Sequence, residues 1–331
     1  MKIRTLERYH HVSMIPVDDI FAAGQRLSEH LPATPLLASP WLCGLAGADI
    51  RLKLESLQVT RSFKVRGALN ALVRVASQPS PPVVVTASAG NHGRAIAWAA
   101  ERLGLDAVVF TPASAPKAKI DPIARHGADL RAVATDYEEA ERMAMAFARE
   151  TGAAFISPYS HPDVIAGGGT VALEIREAWP EVETIVVAIG GGGLISGIAR
   201  FSKGVSPTIH VIGIEVEASS AFTAARRAGR IVPIEVGHSL ADGLGGNVDP
   251  ETLTWEYIRD LVDDVVTVSE TELRAGLRGL VGEEHLIAEG AGVAALAAVA
   301  SRRLPLQGKK VAVVVSGANI DVTTLTAAIA T

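Results

Sequence analysis

The feature that most constrains this chain is an alternation along its whole length, in which short β-branched runs are followed by longer alanine-rich stretches with helical spacing. Strand-like runs fall at residues 49–54, 82–86, 107–111, 129–133, 184–189, 208–215, 264–268 and 309–315. Helical patterns fall at 64–76, 91–103, 116–126, 137–151, 163–178, 194–202, 270–284 and 290–303. Parallel strands require crossovers of this kind, and a sheet covered on both faces is built from nearly continuous Val, Ile and Ala. The expected class is α/β, with open, twisted, mostly parallel sheets flanked by helices. Ligands of such sheets lie beyond the carboxyl ends of the strands. Three turns are therefore expected to face one cleft: Ser88-Ala89-Gly90-Asn91, Gly190 to Gly193, and Ser316-Gly317-Ala318-Asn319.

Composition narrows the function classes. With 331 residues, 48% apolar and 20% charged, the chain is too aliphatic to be mainly disordered. Lys plus Arg number 31 against 36 Asp plus Glu, a net charge of −5, and no basic block offers to neutralise phosphates, so nucleic acid is not expected as a partner. The densest apolar run, residues 291–300, is about half of the ~20 residues that cross a bilayer, so no membrane span is expected. Residues 1–15 scatter charges among apolar positions and lack the core of a signal peptide. The single cysteine, Cys43, allows neither an internal disulfide nor a CxxC metal site and fits the reducing cytoplasm.

Three segments carry the chemistry. Gly190-Gly191-Gly192-Gly193 follows a strand and opens a helix, so its backbone can approach an anion closely while the helix N-terminus presents N–H groups. The alternative is a purely structural turn. Its spelling excludes an NTP-binding loop, which needs Lys-Ser/Thr after the glycines, and fits GxGxxG imperfectly because Ile195 fills the third place. Lys64 sits among Phe63, Val65, Ala68 and Leu69, where desolvation would lower its pKa toward that of a nucleophile; the alternative is a surface lysine at a helix start. Ser88 to His92 is either a carboxylate-collecting turn or an ordinary N-cap by Ser88 or Asn91, with His92 a proton carrier or a helix residue.

Ser62-Phe63-Lys64, Ser88-Ala-Gly-Asn-His, Gly190 to Gly193, Glu289-Gly-Ala-Gly and Ser316-Gly-Ala-Asn, in this order, resemble the pyridoxal 5′-phosphate enzymes of the tryptophan synthase β-subunit fold (fold type II). The likeness runs from about Leu27 to the C-terminus and is to the threonine/serine dehydratase and serine racemase branch. It implies a smaller mobile domain, residues 82–158, inserted into a larger cofactor-binding domain of residues 1–81 and 159–331, with no C-terminal regulatory domain. It implies that Lys64 holds the cofactor as a Schiff base and takes the substrate's α-proton, with Phe63 beside it. Gly190, Gly191, Gly192, Gly193 and the Leu194 amide would bind the phosphate, Asn91 the phenolic oxygen, and Ser316 the ring nitrogen. Ser88, Ala89, Gly90, Asn91 and His92 would surround the substrate. Tyr159 and His161 would shape its pocket, the alternative for Tyr159 being a buried ring with a satisfied hydroxyl. A serine at the ring nitrogen stores less charge in the ring than an aspartate and favours elimination over transamination.

The implied activity is a carbon–nitrogen lyase that converts a β-hydroxy amino acid, threonine or serine by default, to an α-keto acid and ammonia. Alternatives are a lyase for 3-hydroxyaspartate, phenylserine or another hydroxylated amino acid, an amino-acid racemase, and a non-catalytic amino-acid-binding relative. Eukaryotic serine racemases resemble Ser-Ser-Gly-Asn-His at the substrate loop; here the second serine is Ala89, which has no proton to donate to the opposite face. The divalent cation site of relatives retains Glu215 and Ser219, but a later acidic position is Ala221, so metal binding is doubtful. A homodimer is expected from the fold.

Overall fold

The computed structural model describes residues 14–330. Residues 1–13, most of the segment whose composition argued against a signal peptide, lie outside the described residues, as does Thr331.

The larger of two sheets has six strands in the order β1 (Leu36–Ala38), β2 (Asp49–Leu54), β10 (Lys310–Val315), β7 (Thr184–Ala188), β8 (His210–Val216) and β9 (Asp264–Val268). Only β1 runs antiparallel to its neighbour. The smaller sheet is parallel throughout, in the order β5 (Asp129–Ala134), β4 (Ala107–Pro112), β3 (Val84–Ala87) and β6 (Ala154–Phe155). The chain thus leaves the large sheet after β2, builds the small one, and returns. Its last strand, β10, is inserted between β2 and β7.

Helices cover both faces of the large sheet. On one side α2 (Pro40–Ala46), α11 (Glu270–Glu283), α12 (Gly290–Ala300) and α13 (Val322–Ile329) meet Val311, Val313 and Val315 of β10. On the other, α1 (Val17–Ser28), α7 (Pro162–Ala178), α8 (Gly193–Val205), α9 (Ala221–Ala228) and α10 (Thr254–Leu261) meet Ala312 and Val314. This period of two within an unbroken apolar run is what a doubly covered strand requires. The small sheet carries α6 (Tyr137–Thr151) on one face, and on the other α3 (Lys64–Ala76), α4 (Asn91–Leu103) and α5 (Lys117–Ala124). No helix among the described residues is long and apolar enough to cross a membrane.

All eight expected strands form. The sequence pattern missed β1 and β6, three and two residues long, and the helices α1, α2, α9, α10 and α13, of which all but α1 have eight residues or fewer. The expected 116–126 helix shortens to α5, which contains Pro122.

Glycine sets the position of α7 between α3 and α8. A Cβ at Gly167 would meet the Arg66 carbonyl oxygen at 2.5 Å, and one at Gly197 would meet the Ile165 carbonyl oxygen at 2.2 Å. The three helices therefore cross at backbone distance, bringing the first residues of α3 and α8 toward one cleft. We expect Gly197→Ala to destabilise the chain by about 1–3 kcal/mol through overpacking. Gly44→Ala, in α2 with nothing within 4 Å of the added methyl, should be neutral or mildly stabilising in the same denaturant titration.

Candidate active site

Lys64 opens α3, and the residues before it are tied to the end of β10. Ser62 pairs with Gly317 in an antiparallel bridge, and the Phe63 N–H donates to the Ser316 carbonyl at 3.0 Å. Lys64 and Ser316, distant in sequence, are thereby neighbours. The Lys64 amine donates to the Pro158 carbonyl at 2.8 Å and lies 5.2 Å from the centroid of the Phe63 ring. Desolvation pulls its pKa down to about 8, against the opposing attraction of Glu289. A usable fraction of the amine is thus neutral near physiological pH, the condition for a nucleophile or base. The surface-lysine alternative falls.

The glycine loop follows the buried strand β7. Gly192 takes φ +88° and stands at the N-cap of α8 with no side chain bonded to the open helix end. A Cβ at Gly191 would strike the Tyr159 ring at 2.4 Å, while Thr254 Oγ1 donates to the Gly191 carbonyl at 2.8 Å. Tyr159 and α10 therefore back the loop. The loop Ser239 to Asn247 flanks it too, since a Cβ at Gly190 would lie 3.1 Å from the Gly243 carbonyl. A helix N-terminus whose amides no side chain caps fits a phosphate dianion.

Ser88 to His92 join β3 to α4. The N-cap is Gly90, with no side-chain cap, so neither Ser88 nor Asn91 serves in that way. Asn91 instead reaches across the cleft: its Nδ2 donates to Glu289 Oε1 at 2.6 Å, and its Oδ1 accepts from Asn319 Nδ2 at 2.5 Å. One amide N–H of Asn91 remains for a further acceptor. Arg94 Nη1 donates to Asn319 Oδ1 at 2.6 Å. Lys119 of α5 forms an ion pair with Asp242 on the opposite side. Glu289, the first residue of the Glu-Gly-Ala-Gly motif, is thus part of the site; burial pushes its carboxyl up to about 7.

The remaining candidate residues take the following places. Of the two readings of His92 the geometry favours the helix residue over the proton carrier, since its ring is buried against the Ile156 carbonyl, 3.2 Å from Nε2, and desolvation lowers its pKa to about 3. His161, considered as a pocket residue, caps α7 by accepting the Asp163 N–H at 3.2 Å. Tyr159 does lie beside the glycine loop, with its hydroxyl near the Asp249 amide and its pKa raised to about 12 by burial. At the doubtful cation position both Glu215 oxygens accept bonds of 2.7–2.8 Å from Phe222 and Thr223, capping α9. Ser219 Oγ accepts from the Gly246 N–H at 3.2 Å. These residues do not fit a divalent ion, and no group of three or more His, Cys, Asp or Glu among the described residues fits one either.

A buried lysine with a lowered pKa, a glycine-loop helix N-terminus that no side chain caps and a serine at a strand end suit an enzyme with a phosphorylated cofactor. The chain belongs to the pyridoxal-phosphate dependent enzymes: that family's model matches residues 27–317. It is 40% identical over 309 residues to the L-threonine ammonia-lyase of Thermotoga maritima, covering 93% of this chain and 77% of that one. It is 37% identical to the catabolic L-threonine dehydratase of Escherichia coli, covering 93% and 94%. Among solved structures it resembles maize serine racemase, with a TM-score of 0.88, 31% identity and coverage of 96% and 98%. The cofactor is therefore pyridoxal phosphate.

Between pH 4.5 and 7 the folded chain binds a proton at Glu289 more strongly than the unfolded chain does, so this residue's contribution to stability falls as pH rises through that window. Glu289→Gln should remove the effect. The variant is expected to gain up to about 3 kcal/mol relative to wild type between pH 5 and pH 8, read from cofactor-free denaturation curves.

Proposed function

We propose that the chain is a pyridoxal-phosphate ammonia-lyase that converts a β-hydroxy amino acid, L-threonine or L-serine first, to an α-keto acid and ammonia. The observation that carries this reading is the desolvated Lys64 amine beside the end of β10, facing the cleft into which the glycine loop opens. The relatives named as threonine ammonia-lyase and dehydratase support the substrate class. When bound, pyridoxal phosphate supplies an electron sink for charge developing at the substrate's α-carbon.

The chain's residues divide the remaining work. Lys64 would hold the cofactor through its amine and would act as the base that takes the substrate's α-proton. The amides of Gly190, Gly191, Gly192, Gly193 and Leu194 would hold the phosphate, Phe63 would pack beside the ring, and the Ser316 hydroxyl would meet the ring nitrogen. Asn91 would give its remaining N–H to the phenolic oxygen. Backbone N–H groups of the Ser88 to His92 turn, at the start of α4, orient the substrate carboxylate, and Tyr159 walls the pocket. The β-hydroxyl takes up a proton and leaves as water, and the unsaturated amine that remains is hydrolysed by one water to keto acid and ammonia. Ala89 supports elimination over racemisation, because its methyl group cannot reprotonate the opposite face.

In this reading residues 82–158 close over residues 1–81 and 159–331, with the Asn91–Glu289 and Lys119–Asp242 contacts linking the two parts. The enzyme works as a homodimer, the commonest assembly of soluble chains, and in the cytoplasm, which the lone Cys43 supports.

The test is kcat/KM on a panel of L-threonine, L-serine, 3-hydroxyaspartate and phenylserine, with the D-enantiomer followed alongside keto acid. Threonine or serine is expected to rank first, keto acid to exceed inverted amino acid, and Lys64→Ala to lose about a thousandfold or more. Wild-type turnover by Lys64→Ala, or inversion without keto acid, would overturn the reading.

A further inference from the structure

On the side of α3 away from the cleft lies a group of charged side chains that the reaction does not touch. Arg66 is 1% exposed, yet its guanidinium is saturated. Nε and Nη2 donate to the two Glu55 oxygens at 2.7 and 2.9 Å, and Nη1 and Nη2 donate to the two Glu174 oxygens at 2.6 and 2.8 Å. Nη1 also meets Thr170 Oγ1 at 3.2 Å. Lys53, likewise 1% exposed, donates to Glu174 Oε2 at 2.5 Å and to the Thr34 carbonyl at 2.7 Å. Two cations and two carboxylates cancel.

Stability alone does not call for such a cluster. Replacing a buried ion group with apolar side chains of similar volume is often neutral or stabilising, because desolvation offsets the Coulomb attraction. What two bidentate clamps on a planar guanidinium do add is direction. The four residues come from β2, the single turn Glu55–Leu57 that follows it, α3 and α7, so the clamps fix the rotation of α3 about its own axis.

Lys64 is two residues before Arg66 on that helix, roughly 200° around it. Side chains reach about 6 Å from a helix axis, so a rotation of roughly 10° moves their tips by about 1 Å. A displacement of that size at a reacting group costs on the order of a hundredfold in rate. We propose that the Arg66–Glu55–Glu174–Lys53 cluster is the positioning device for Lys64, holding α3 at the one rotation that keeps the amine beneath the Pro158 carbonyl and facing the cofactor site. The inference rests on Lys64 being the cofactor-carrying residue.

Two variants of the holoenzyme test it: Arg66→Lys, which keeps the charge but loses the planar fork, and the fourfold Lys53→Met, Glu55→Gln, Arg66→Met, Glu174→Gln, which removes every charge at similar volume. The readouts are the thermal midpoint, the pH titration of the absorbance band of lysine-bound cofactor, borohydride fixation mapped to peptides by mass, and kcat. The fourfold variant is expected to melt within about 5 °C of wild type. Its cofactor band should titrate at a shifted pH, its fixation on Lys64 should fall, and its kcat should drop tenfold to a hundredfold. Arg66→Lys should show the same signature, and it decides the matter if the fourfold variant does not fold. Wild-type band, fixation and kcat in a folded variant would overturn the positioning role and leave the proposed function standing. Fixation of wild-type cofactor on a different lysine would overturn both.

Discussion

The rest of the structure depends on the approach of α7 to α3 and α8 at backbone distance. Gly167 and Gly197 permit it, because a single methyl at either position would enter a neighbouring carbonyl. Through these two crossings the lysine at the start of α3 and the open N-terminus of α8 come to one cleft, although each helix follows a strand of a different connection. The strand β10 completes the arrangement by returning between β2 and β7 and delivering Ser316 beside Phe63.

Electrostatics then sort the charged groups by function. In the cleft, burial outweighs the attraction of opposite charges: it lowers the Lys64 pKa against Glu289 and raises that of Glu289 against Lys119, leaving both titratable near neutrality. Behind α3 the opposite solution holds, with Arg66 and Lys53 paired to Glu55 and Glu174 in a saturated, neutral group. Glu215 illustrates a third use: its carboxylate is taken up by the amides that start α9.

Much of this was legible in the sequence. Continuous Val, Ile and Ala runs marked the central strands, because strands covered on both faces have no polar side to show. Four glycines between strand and helix marked the cradle, and the aliphatic neighbours of Lys64 marked its burial. The edge strands β1 and β6 and four of the short helices escaped because two to eight residues hold too little of a period to register. Glu289 escaped as a site residue because its importance comes from Asn91 and Asn319, which are remote in the chain. His92 stayed open between two readings for the same reason: only the fold shows that its ring turns to Ile156. The buried cluster was invisible, since charged residues scattered over residues 53 to 174 read one by one as solvated surface.

The central claim is that three separate elements build one cofactor site around Lys64, and a crystal structure of the cofactor-loaded chain tests it most directly. The expected result is continuous density from the Lys64 amine to the cofactor, its phosphate within hydrogen-bond distance of the Gly190 to Leu194 amides and its ring nitrogen at the Ser316 hydroxyl. A cofactor bound elsewhere, or a Lys64 amine still bonded to the Pro158 carbonyl with the cradle empty of phosphate, would contradict it.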